Sequence, residues 1–396
     1  MAGSARYLTK LNLALLSKNV TRHIVLNQTR TLFSEHSLGL PAFLAARNTF
    51  KNQFVNLEDS FRSKMKTYVD NEAAGMIFTE DLKVMLHLAE KTPEDVELIV
   101  KMLKKFNSQS SEMRFSTFLF GPIVMRSLHR LNEPDLALEL FNDKSFGTFF
   151  NQLTSYQVLL DLLYCNKKYK EMMQVYDSIR ARITVDKVHP RNSLILVTAA
   201  CYKENTRESW KYGLALWRDL DQRGYPTVRR VLTHLSALAI NQGDFNVAFE
   251  MLLTARRPRY IAIRCLKIMA FCSIDRLDDV VPFFRSTLEQ DDPSLKKETF
   301  FKDAIDMVEA SIEKAKLGPD AEIVKLLKLI KTGGFVQANT LDDHINEEIV
   351  VMPRTFPSNE ADRRGYRNRE SSNRESGRSE YSKPRVYRTP GLRDLV

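Results

Sequence analysis

One eight-residue pattern recurs along the middle of the chain, and it restricts the possible folds more than any other feature. It reads PDLALELF at Pro134–Phe141, YKEMMQVY at Tyr169–Tyr176, WKYGLALW at Trp210–Trp217 and FNVAFEML at Phe245–Leu252. Aligned, the copies place Ala137, Met172, Gly213 and Ala248 at one position, small or flexible. Leu140, Val175, Leu216 and Met251 fall at a second position, and Phe141, Tyr176, Trp217 and Leu252 at a third. The steps between copies are 35, 41 and 35 residues. Met102 and Phe106 hold the same places one unit earlier, and LDDVVPFF at Leu277–Phe284 is a looser later copy. Between residues 78 and 290, apolar residues recur at helical spacing, and no stretch alternates with the period of a strand. A single helix pair cannot bury both faces of its helices, so pairs at a fixed spacing must stack on their neighbours. The expected fold class is all-α, an α-solenoid of helix–turn–helix units with disordered ends. The longer step at Glu204–Trp217 predicts an irregular array.

Charge separates the body from its ends. The chain carries a net charge of +10. Residues 1–57 hold seven Lys/Arg against Glu35 alone, and residues 353–396 hold eleven against six acids. The remainder, 58–352, carries 41 basic and 42 acidic residues, so the body is neutral and its bulk charge is no evidence for an RNA groove. Residues 1–34 are basic and hydroxylated, with no acid before Glu35 and spaced Leu8, Leu11 and Leu15, which is the composition of a mitochondrial transit peptide. Cleavage is expected near Arg30–Ser34. From Pro353 the text is low-complexity Arg, Ser and Tyr, unable to bury enough surface to order itself. Its interleaved Arg and Tyr suit nonspecific RNA contact. The expected organisation is therefore a leader at 1–34, a linking helical segment at 35–77, repeats at 78–290, a helical cap at 291–352 and a tail at 353–396. No apolar run reaches the roughly 20 residues of a membrane span. Cys165, Cys201, Cys265 and Cys272 lie in apolar helical text without a C-x-x-C pair and read as buried thiols of a reducing compartment.

The repeat resembles the pentatricopeptide repeat, a 35-residue helical hairpin. Asn-Gln-Gly-Asp-Phe-Asn-Val-Ala-Phe-Glu-Met-Leu at Asn241–Leu252 is similar to that family's second helix, and Ser155–Leu160 to its first. The Trp-x-x-Leu-Gly-x-x-Tyr of the tetratricopeptide repeat is not found. Segments such as NLEDSFRSKMK, RFSTFLFGPIVMR and ALAINQGDFNVAF extend the resemblance over roughly residues 55–300, in the order seen in animal mitochondrial members. The resemblance implies a protein of the mitochondrial matrix that binds mitochondrial RNA, acts in its maturation or stability, and so supports the respiratory chain. In such repeats the first helices line a groove and one polar residue per unit reads a base. Carried onto this sequence, the reading position falls on Gln157, Ile195, Thr233 and Lys267, and on Pro122 in the preceding unit. Only Gln157 and Thr233 could pair with a base edge, and Lys267 suits a phosphate. The remaining phosphate candidates are Lys167, Lys168 and Lys170, Arg229 and Arg230, and Arg256, Arg257 and Arg259.

Nothing in the sequence points to catalysis, a cofactor or a metal. The H-x-E and C-x-x-C zinc ligands of deaminase-bearing relatives are missing, as are H-E-x-x-H, G-x-x-x-x-G-K-[ST] and G-x-S-x-G. His87, His129, His189, His234 and His344 are far apart in sequence and read as ordinary helix or loop residues. Asp342, Asp343, Glu347 and Glu348 read as a solvated acidic face. A second function fits the neutral body: a non-catalytic scaffold for protein partners in RNA processing or at the mitochondrial ribosome.

Overall fold

The computed structural model describes residues 31–350, except 72–74, 110–117, 184–188, 226–227 and 291–296. Residues 1–30, most of the expected leader, and the whole of the expected tail at 353–396 lie outside the described residues. The described part is an all-α solenoid. After a short helix α1 (Glu35–Leu38), helices alternate as first and second members of hairpins. They are α2 (Leu40–Phe54) with α3 (Glu58–Asp70), α4 (Thr79–Leu88) with α5 (Pro93–Ser108), and α6 (Gly121–Leu131) with α7 (Pro134–Asn142). Next come α8 (Leu153–Cys165) with α9 (Tyr169–Arg182), α10 (Arg191–Glu204) with α11 (Arg207–Gln222), and α12 (Arg229–Asn241) with α13 (Phe245–Leu253). The last pairs are α14 (Ile261–Ser273) with α15 (Val281–Leu288), and α16 (Lys302–Lys314) with α17 (Glu322–Thr332). Helix α18 (Leu341–Ile345) follows. Each first helix packs on the first helix of the next hairpin, from α2 through α16. The stack therefore continues beyond 78–290 on both flanks.

The two helices of a hairpin have different environments, and their sequences follow. Every residue from Ser155 to Cys165 in α8, and from Val231 to Ile240 in α12, is buried. These helices are enclosed on all sides, so they are apolar all round. Second helices bury one stripe: Met172, Val175, Tyr176 and Ile179 in α9, and Trp210, Gly213, Leu216, Trp217 and Leu220 among the buried residues of α11. All twelve repeat positions read from the sequence are buried. At Gly213 the side-chain requirement is steric, since a Cβ there would meet Leu235 Cδ2 of α12 at 2.8 Å.

Polar ties at the repeat spacing fix the register. From α6 onward, each turn from first to second helix uses a left-handed residue: Asn132, Lys167, Asn205, Gly243, Asp275 and Lys316 all have positive φ. Such a residue ends a helix while its backbone N–H meets an orphan carbonyl, as Asn132 does with Leu128 and His129. Amides bridge these turns: Asn166 Nδ2 donates to Asn132 Oδ1 at 2.8 Å, and Gln242 Nε2 to Asn205 Oδ1 at 2.9 Å. On the second helices, Tyr212 Oη donates to Asp177 at 2.9 Å.

The two ends of the described chain meet. Phe33 and Ile349 form a parallel bridge, with Ile349 N donating to Leu32 O at 2.8 Å. A two-residue parallel pair, β1 (Phe300–Phe301) with β2 (Val336–Gln337), ties the last hairpin to the segment leading into α18. Leu32 and Phe33 are 1% exposed, so cleavage of the leader at Ser34 would strip two core side chains. Trp210 is equally buried, and its indole donates to Asp244 of the next hairpin. Trp210→Ala is expected to cost about 3–5 kcal/mol, read as a lowered urea midpoint by circular dichroism.

Candidate nucleic-acid interface

The cations marked in the sequence divide into two groups. On the edge where first helices end and second helices begin, most are neutralised. Lys168 pairs with Asp135 at 2.7 Å and Lys170 with Glu204 at 3.8 Å, while the neighbouring Lys167 is exposed in its left-handed turn. Arg207 on the same edge binds Asp244 at 2.9 Å. The opposite edge, where first helices begin, is different. Arg191 opens α10, Arg229 opens α12, and Arg256, Arg257 and Arg259 precede α14; all five are exposed. None of them pairs with a carboxylate among the described residues. Arg229 lies over the Tyr260 ring at 3.9 Å, which joins the start of α12 to the loop entering α14. Moreover, α6, α8, α10, α12 and α14 carry no acid in their first turns. The backbone N–H groups and partial positive charge of these termini add to that of the arginines.

The face formed by the first helices is covered by the chain's own ends. Arg126 of α6 donates to Leu38 O at 2.8 Å, holding the segment that contains α1. Helix α18 lies across α12 and α14. Arg230 donates to the carbonyls of His344 and Ile345 at 2.9 and 3.0 Å, Tyr202 Oη to Asp342 at 2.8 Å, and Tyr260 Oη pairs with His344 Nε2 at 2.6 Å. Between the two segments is a cavity of about 1470 Å³. Glu35, Asp343, Glu347 and Glu348 line it against a single cation, Arg130. The acidic cluster at 342–348 is thus part of this cover, with Asp343 accepting from Thr340 at the start of α18.

No family model matches the chain. Curated relatives do, and all three cited here bear one name, Pentatricopeptide repeat-containing protein 2, mitochondrial. The mouse (Mus musculus) protein is 26% identical over 270 residues, covering 67% of this chain and 69% of the relative. The Xenopus laevis protein is 24% identical over 269 residues, covering 68% and 69%. The human protein is 27% identical over 232 residues, covering 59% and 58%. The chain is thus similar to named pentatricopeptide repeat proteins over about two thirds of its length. All three relatives are named as mitochondrial proteins.

The pentatricopeptide base-reading positions fall where the stack encloses them. Gln157, Ile195 and Thr233 occupy the fifth position of α8, α10 and α12, and all three are buried. Gln157 Oε1 accepts from Asn192 of the next hairpin at 3.0 Å, and Thr233 Oγ1 donates to Arg229 O at 2.6 Å. Lys267 is half-buried in α14, and burial lowers its pKa. Pro122 sits in the first turn of α6. Arg230, marked as a phosphate candidate, is spent on the carbonyls of α18. The sequence reading missed Arg191, whose signal was available: a cation opening a helix, where acids are favoured.

Two predictions follow from the cover. Arg230→Ala leaves two carbonyls without their donor, at a cost of about 1–3 kcal/mol, and should speed amide exchange at residues 341–349. The second concerns His234, which is buried beside Thr198 at 3.2 Å. Burial, with repulsion from Arg230, lowers its pKa from 6.5 to about 3. Because the folded value lies below the unfolded one, this stability is complete above pH 6.5 and is lost as pH falls toward 3. His234→Gln should therefore flatten the acid side of the melting profile relative to wild type.

Proposed function

We propose that this is a non-catalytic RNA-binding protein of the mitochondrial matrix, acting in the maturation or stability of transcripts and thereby supporting the respiratory chain. The basic leader directs import, with cleavage at the early side of the expected Arg30–Ser34 window so that Leu32 and Phe33 stay in the core, and the Arg/Tyr tail adds nonspecific contact. The observation that carries the reading is the row of exposed, unpaired arginines at the starts of α10, α12 and α14. A backbone laid along this edge would meet arginine side chains and helix N-termini together. With Gln157 and Thr233 enclosed, binding through this edge would be largely indifferent to base identity. Among the described residues no helix is long and apolar enough to cross a membrane.

Fluorescence anisotropy with single-stranded RNA tests this. Affinity is expected to fall steeply with salt, and Arg191→Ala, Arg229→Ala, Arg256→Ala and Arg257→Ala should each shrink the slope of log K against log salt by about 0.7. Gln157→Ala and Thr233→Ala should leave sequence preference unchanged. Unchanged slopes in all four arginine variants would remove the edge from the reading.

One observation favours a second reading, a protein scaffold serving a processing complex or the mitochondrial ribosome. The cavity on the first-helix face is acidic, which repels a phosphate backbone and suits a basic peptide. Crosslinking in mitochondria separates the two. Recovery of transcripts supports the first, whereas ribosomal proteins co-purifying with no RNA above background support the second.

A further inference from the structure

The repeat places three metal-ligating side chains together that are scattered in the sequence. His129 lies near the end of α6, and Asp161 and Cys165 lie one turn apart on the neighbouring α8. His129 Nε2 is 3.1 Å from Asp161 Oδ2, and Cys165 Sγ is 3.7 Å from the same oxygen. The three donor atoms all lie within 4.8 Å of one another. We propose that His129, Asp161 and Cys165 form a binding site for a zinc-class divalent ion.

Distances, burial and chemistry support the assignment independently. Around a tetrahedral zinc, the N···O and O···S edges come to about 3.4 and 3.6 Å from ordinary bond lengths. The observed separations are close to both, so small side-chain movements would close the shell. Asp161 is fully buried, and its Oδ1 has no hydrogen-bond partner among the described residues. A buried carboxylate with an unused oxygen is costly, and a cation offsets that cost. A set of one imidazole, one carboxylate and one thiolate selects zinc over magnesium or calcium. His129 and Cys165 also line the 1470 Å³ cavity, together with His36 and Glu35. The fourth position therefore opens on solvent or on one of those side chains, the arrangement of a site that keeps one exchangeable ligand.

The test uses the full chain, reduced and stripped of metal, titrated with Zn²⁺ and separately with Co²⁺. We expect one ion per chain, a rise in melting temperature with Zn²⁺, and a thiolate-to-metal charge-transfer band with Co²⁺. Cys165→Ser should abolish that band, and His129→Gln and Asp161→Asn should weaken uptake of both ions. Cys272→Ser, which removes a buried thiol elsewhere, should change neither band nor uptake. Circular dichroism shows which variants remain folded; if Cys165→Ser does not, the band in wild type and its weakening in Asp161→Asn carry the test. Absence of stoichiometric uptake, or a Co²⁺ spectrum without a thiolate band, overturns the proposal and leaves a His129–Asp161 hydrogen bond.

Discussion

The packing of each first helix on the next is the interaction on which everything else in the structure rests. A helix such as α8 has no polar face of its own, so it is stable only when α6, α10 and α9 enclose it. Burial of Leu159, Leu160, Leu162 and Leu163 contributes about 1.5–3 kcal/mol per side chain relative to exposure. The neighbours supply that burial, and stability in such an array is a sum of nearest-neighbour terms. The polar ties add register more than energy. Asn166 to Asn132 and Gln242 to Asn205 connect turns that hydrophobic contact alone would leave free to slide.

The same enclosure explains how much of the fold was legible in the sequence. The second helices were readable at Ala137, Leu140 and Phe141 and their copies because one buried stripe on an otherwise exposed helix demands a fixed spacing. The first helices were not readable in this way, since a helix buried all round accepts any apolar residue in any order. The flanking hairpins α2–α3 and α16–α17 join the stack without the repeat signature. Their role shows only in the contacts they make. The turns carried a signal that residue pattern alone understates. Asn132, Asn205, Gly243 and Asp275 are residue types that tolerate the left-handed conformation, and they mark four of the six hairpin turns from α6 onward.

The candidate site was less legible, for a different reason. Base-reading positions carried over from the resemblance assume a first-helix face open to solvent. In this chain that face meets the segments around α1 and α18, anchored by Arg126, Arg230 and Tyr260. Those contacts join residues separated by nearly ninety positions in one case and over a hundred in another, beyond the reach of any local pattern. The grouping of His129 with Asp161 was hidden in the same way, because a separation of 32 residues becomes contact only once hairpins stack.

Charge placement along the helix ends separates packing from recognition. The second helices α5, α7, α9 and α11 carry Asp or Glu in their first turns, as the helix dipole favours, even where Arg207 is the first residue of α11. The first helices α10 and α12 start with Arg191 and Arg229 and carry no acid in their first turns. A cation at a helix N-terminus forgoes stabilisation of about 0.3–1 kcal/mol. Pairing with acids does not account for the exception, since both arginines are exposed and bind no carboxylate among the described residues, although Arg229 does stack on Tyr260. Other exposed cations of the stack, such as Arg207 and Lys314, do find acids, at Asp244 and Asp275. Cations left on one edge against the dipole, while most on the other are neutralised, are what the proposed contact with an anion would require. The size of that cost, set beside several phosphate contacts along one backbone, makes the arginine edge a better place to look for RNA than the enclosed face.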